Sequence, residues 1–155
     1  MDEHLYIIQK FSCQRTLSPM EKSVARALLK EAPERGGTKN AAGESPIHVA
    51  GEHGNRDLVE ILLDADPRLA EIHDFFGNTI VHTATVRKDF SILEACIKAN
   101  PRSLLVRTLY KGQNTDTGLL PVELCRDPQT ISWLKNQMKM LSEFGREPSF
   151  SPCHP

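Results

Sequence analysis

Six histidines and four cysteines are the residues of this chain that could support catalysis or bind a metal. His48 and His82 occupy one slot of a pattern that recurs after 34 residues. A single zinc ion needs each ligand at about 2.0–2.1 Å. Helices stacked side by side stand about 8–10 Å apart, which keeps two such rings apart. His53 and His73 read as surface residues. The cysteines (Cys13, Cys96, Cys125, Cys153) form no CxxC pair and fit no zinc signature. A Cys/His nucleophile pair needs hydrogen-bond contact in a cleft. Cys96 aligns instead with Leu62, and Cys125 with Ala50 and Ala84, so both are expected in the core. Gly36, Gly37 and Gly112 are isolated turn glycines, with no loop to cradle a phosphate. The expectation is no catalytic residue, no metal and no cofactor.

Composition narrows the class further. The chain has 155 residues, 39% hydrophobic and 25% charged, the size and balance of one globular domain. Its net charge of −1 lacks the basic footprint of a nucleic-acid binder. No apolar run is longer than the four residues Leu5 to Ile8, so no membrane span is expected. Met1-Asp2-Glu3 is acidic with no hydrophobic segment behind it, which argues against a secretory signal. Reduced thiols and a cytoplasmic location follow as expectations, with the nucleus or delivery into a host cell left open. The near-zero total hides a polarity. Residues 43–76 hold eight acids against Arg56 and Arg68, a net of −6, and residues 77–111 carry +4. Solvated faces, or steering of a charged partner, both account for this.

The elements that must position these residues show in a repeat. Pro33, Pro67 and Pro101 recur at 34 residues, each closing a similar apolar run. Gly43-Glu44-Ser45-Pro46-Ile47-His48-Val49-Ala50 matches Gly77-Asn78-Thr79-Ile80-Val81-His82-Thr83-Ala84 at the same shift. A third copy, Gly118-Leu119-Leu120-Pro121-Val122-Glu123-Leu124-Cys125, follows after 41 residues, with the extra length in a polar loop around Lys111–Thr117. Each unit reads as two short helices. Ser45 or Thr79 caps the first. The second runs over Arg56–Leu63 and places Leu58, Val59, Ile61, Leu62 and Leu63 inside. About a dozen residues without helical period then lead to the next glycine. A unit this short buries its apolar face only by stacking on neighbours.

These residues resemble the ankyrin repeat family, whose units begin Gly-x-Thr-Pro-Leu-His-Leu-Ala and continue through a glycine turn into a Val/Leu-rich second helix. The resemblance covers about residues 18–135 and is clearest over 43–111. A tetratricopeptide array shares the period but lacks the Ser/Thr-Pro-x-His start and the long inter-unit segment. The resemblance implies an all-α solenoid of about three to four helix-turn-helix repeats with hairpin loops and degenerate caps. It also implies that His48 and His82 bond the backbone of neighbouring loops. Two departures stand out. Ile80 replaces proline, and Lys88 stands where Gly54 stands. A left-handed backbone there would strain Lys88 by roughly 1 kcal/mol.

The organisation expected is an N-terminal capping repeat over 1–42, repeats over 43–76 and 77–117 (the latter with the loop insertion), a degenerate repeat with a capping helix over 118–144, and a flexible tail over 145–155. At the front, a helix around Glu3–Ser12 precedes a capping box at Ser18-Pro19-Met20-Glu21. The following helix buries Met20, Val24, Ala27 and Leu28. At the back, a helix over Pro128–Glu143 buries Ile131, Leu134, Met138 and Leu141. Its opposite side groups Trp133, Met140 and Phe144. The tail through Phe150 covers that side, or a partner does.

In this family, Phe75 and Phe76 fall at the tip of a protruding hairpin, where the tips at Lys39-Asn40 and Gln113-Asn114 are polar. One ring packing on the neighbouring finger is the plain reading. An aromatic anchor for a partner is the functional one. The expected partner-binding set is Phe75, Phe76, Glu52, His53, Arg87, Lys88, Lys111, Asn114 and Trp133. The function implied is protein binding by a monomeric adaptor or inhibitor that occludes a folded partner, with no nucleic acid and no membrane. A structural subunit assembled through the C-terminal helix is the alternative, and a small enzyme or metal protein a third.

Overall fold

The computed structural model describes residues 3–40, 43–109 and 118–144, the side chain of Phe144 excepted. Every regular element among them is helical. Eight α-helices run in order: α1 (Glu3–Ser12), α2 (Pro19–Glu31), α3 (Pro46–Glu52), α4 (Arg56–Ala65), α5 (Ile80–Arg87), α6 (Phe90–Ala99), α7 (Pro121–Leu124) and α8 (Pro128–Phe144). The odd-numbered helices form one row, with α1 on α3, α3 on α5 and α5 on α7. The row α2, α4, α6 stands behind it, and α8 closes the stack against α7. One apolar core runs through all four helix pairs, from Ile8 to Leu134.

Local chemistry sets the helix ends. Ser18 and Glu21 form the expected capping box, each side chain bonding the other's backbone N–H. Asn55 and Asp89 cap α4 and α6 by accepting from the amides of Leu58 and Ile92. Ser45 does not cap α3 with its side chain, which instead meets the His48 ring at 2.6 Å.

The prolines at 33, 67 and 101 start something rather than only ending it. Each opens a 3-10 turn: Pro33–Gly37, Pro67–Glu71 and Pro101–Leu105. Proline's fixed φ suits the first position of such a turn, where no N–H is needed. It also drives the preceding residue out of helical geometry. Ala32, Asp66 and Asn100 sit accordingly near φ −146°, −152° and −150°. The stretch expected to lack helical period therefore begins with one turn of helix, and Leu69 and Leu104 from these turns enter the core.

Two expected core placements are corrected. On α2 the buried residues are Ala25 and Leu29, while Met20 is 77% exposed, Val24 and Ala27 also face solvent, and Leu28 is half-buried against the core. As the first helix of its row, α2 has α4 on one side only, so an apolar stripe survives at the open end. Cys125 is only half-buried, because α7 ends at Leu124 before the chain turns into Pro128. Leu134, Met138 and Leu141 do pack on the core from α8.

Candidate functional site

Between the helix pairs the chain makes fingers. In the second, Asp74 accepts from the amides of Phe76 and Asn78 at 2.8 and 2.9 Å through one oxygen, Oδ1. The Asp74 carbonyl accepts from Gly77 N–H at 3.0 Å, and Asp74 N–H donates to Asn78 at 2.8 Å. An aspartate at the first turn position and a glycine at the last are what such a turn favours. Gly77 has φ +82°, and its carbonyl accepts from Leu109 N–H at 2.7 Å. A Cβ on Gly77 would stand 1.2 Å from the Leu109 oxygen. This contact fixes the second finger to the third.

The two buried histidines brace the fingers. His48 Nε2 lies 3.2 Å from the Ile72 carbonyl, and His82 Nε2 lies 2.9 Å from the Leu119 carbonyl. Carbonyls only accept, so Nε2 carries the proton in each ring. Nδ1 is then an acceptor, facing the Ser45 hydroxyl in one repeat and the Thr79 hydroxyl and amide in the next. Burial pushes both imidazoles below their usual pKa. Protonation of His82 would also set an N–H against the donating Thr79 amide. The slot is structural, as the resemblance implied. His73, expected at the surface, is half-buried and contacts the Arg107 carbonyl at 2.8 Å.

The turn that positions Phe75 and Phe76 leaves them 71% and 69% exposed. Their rings meet edge-on, 5.6 Å between centroids and 88° between planes. Phe75 also rests its Cβ against Gly43 of the first finger, so the plain reading describes one edge of that ring. The remaining surface of both rings is unspent. They line a cleft of about 230 Å³ with Gly43, Glu44, His48, Val49, Glu52 and Asp74. Beyond Glu52 a second cleft opens, bounded by Asn78, Val86, Arg87 and Leu124. A third takes in Lys88, Leu124, Arg126 and Asp127.

Five of the expected site residues thus lie along three neighbouring clefts: Phe75, Phe76, Glu52, Arg87 and Lys88. His53 lines none of the three; it caps α3, its ring 2.9 Å from the Val49 carbonyl. Trp133 is half-buried at the other end of the stack, edge-on to Phe90 at 5.4 Å, while Met140 stays exposed. Of the expected Trp133–Met140–Phe144 face, Trp133 is thus partly covered by Phe90 and Met140 is open to solvent, and the Phe144 side chain lies outside the described residues. Lys111, Asn114 and the tail beyond 144 lie outside the described residues. Glu44, Asp74, Val86 and Leu124 escaped the sequence reading. Val86 had a signal, since it follows Glu52 by one period of 34 and shares its slot.

Lys88 ends α5 at φ 57°, ψ 35°, in the left-handed region. Gly54 holds the matching turn at φ +70°. Lys88 Nζ stands 3.5 Å from Asp127. Cys96 is fully buried, which pushes its thiol up to about 12. Among the described residues no group of three His, Cys, Asp or Glu side chains converges as a metal site. No described helix is long and apolar enough to cross a membrane.

Comparison with known proteins agrees with this geometry. Residues 42–71 match the family model of the ankyrin repeat. Over 108 residues, 70% of this chain, the sequence is 29% identical to tyrosine-protein kinase Shark of Drosophila melanogaster. That match spans 11% of the kinase. Residues 42–71 carry an ankyrin repeat, within a stack whose described elements are all helical.

Proposed function

We propose that this stack is a protein-binding module of the adaptor or inhibitor kind, which docks rigidly on a folded partner and occludes the surface it covers. One observation carries the reading. Two adjacent phenylalanines stand at a fingertip in solvent, on a finger held by four turn hydrogen bonds and by the Gly77–Leu109 link. Preformed aromatic anchors of this kind dominate binding energy because little freedom is lost on docking. Three clefts run beside the tip along the inner helices, so tip and groove can be engaged together. Among the described residues the stack offers this groove and no converging metal site, which favours binding over turnover.

The test is the double variant Phe75→Ser/Phe76→Ser. It should weaken partner binding by about 2 kcal/mol or more, the range of an interface hot spot. Thermal stability should stay within about 1 kcal/mol, as for exposed substitutions generally. Equal losses of binding and stability would show that the rings hold the fold and not a partner.

A further inference from the structure

We propose that the cleft between the Phe75–Phe76 fingertip and α3 receives one cationic side chain, lysine or arginine, from an exposed basic segment of the partner. This rests on the docking reading above and names the chemistry of its ligand. The cleft holds about 230 Å³, with Phe75 and Phe76 on one side and Val49 and His48 on the other. Aromatic faces attract cations that come within about 6 Å of the ring centre. Glu44, Glu52 and Asp74 line the same space.

The other acids of this repeat are mostly engaged. Asp57 meets Lys22, Glu60 meets Arg56, Asp66 meets Arg68, and Glu71 accepts from Asn100. The carboxylates of Glu44 and Glu52 have no partner among the described residues. Asp74 spends one oxygen, Oδ1, on its own turn, which fixes the carboxylate beside the rings. Arg87 lines the next cleft with Glu52 but forms no ion pair with it among the described residues. Burial lowers the His48 pKa and so favours its neutral ring. An anion would meet three carboxylates here. A neutral apolar group would strip water from them without replacing it. A cation satisfies the carboxylates and the ring faces together.

The test uses NMR of backbone amides in the whole chain. The probes are acetyl-Gly-Arg-Gly-amide and acetyl-Gly-Lys-Gly-amide, with the Gln and Glu tripeptides as controls. The cationic probes should shift the amides of Gly43, Glu44, Val49 and Phe76 saturably, and added salt should weaken them. Glu44→Gln and Glu52→Gln should each lower affinity by about two- to fivefold. Equal shifts with the Gln tripeptide, no shifts at the cleft, or unchanged affinity in both variants would overturn the proposal. With a protein partner in hand the two readings separate. Binding lost in Phe75→Ser/Phe76→Ser but unchanged in Glu44→Gln/Glu52→Gln keeps the docking site and overturns the cation. Binding unchanged by the double serine variant overturns the docking reading, even where the tripeptides bind.

Discussion

Replacing Lys88 by glycine should stabilise this protein. Lys88 sits at φ 57° with a full side chain, and a non-glycine residue in that region costs about 1–2 kcal/mol. Glycine removes that cost but also removes the ion pair to Asp127 at 3.5 Å. With Lys88 57% exposed, the pair is screened and contributes at most about 0.2–1 kcal/mol. The net gain is about 0.5–1 kcal/mol. In urea denaturation that moves the midpoint up by about 0.3 M, with the slope unchanged. Two companions isolate the cause. Lys88→Ala keeps the strain and loses the pair, so it should fall slightly below wild type. Gly54→Ala should lose about 1–2 kcal/mol from φ alone, since its added Cβ meets nothing closer than Asp89 at 3.6 Å. Lys88→Gly no more stable than Lys88→Ala, or Gly54→Ala unchanged, would refute the reasoning.

Gly77→Ala should be far more damaging, at more than about 2 kcal/mol, because positive φ and collision with backbone combine; hydrogen exchange at the Leu109 amide should accelerate with it, and an exchange rate like wild type would count against the finger contact. His48 and His82 titrate below the free value of 6.5. The folded state then binds fewer protons than the unfolded one, so stability is complete above about pH 6.5 and declines as pH falls below it. Urea midpoints at several pH values check this, and a stability that rose on acidification would contradict it. Cys96, its thiol pushed up to about 12, should resist a thiol reagent in the folded protein while exposed Cys13 reacts.

Much of the stack was legible because its signals are local. The 34-residue period compares one repeat with the next, and the Ser18–Glu21 capping box and the apolar run of Leu58 to Leu63 report on neighbours a few residues away. The histidine slot was legible through the resemblance. What failed depended on position in the stack. Met20 and Val24 have helical spacing, but their helix has one neighbour where the inner ones have two. Cys125 has the core register, but α7 stops too soon to bury it. Trp133 was assigned by angle around α8, which gives no hint that Phe90 reaches across from another repeat. The fingertip rings were visible as an anomaly in a polar turn. The cleft beside them was not, because Glu44, Glu52 and Asp74 converge only once two fingers and a helix are stacked.

The central claim is that the Phe75–Phe76 fingertip docks a protein. The most direct measurement is the dissociation constant of a partner, captured from a matched lysate and then purified, for wild type and for Phe75→Ser/Phe76→Ser, beside both melting temperatures. A loss of about thirtyfold or more, corresponding to about 2 kcal/mol, with melting temperatures within a few degrees, is the result the account predicts. Equal affinity for the two proteins would contradict it and place the binding surface elsewhere on the stack.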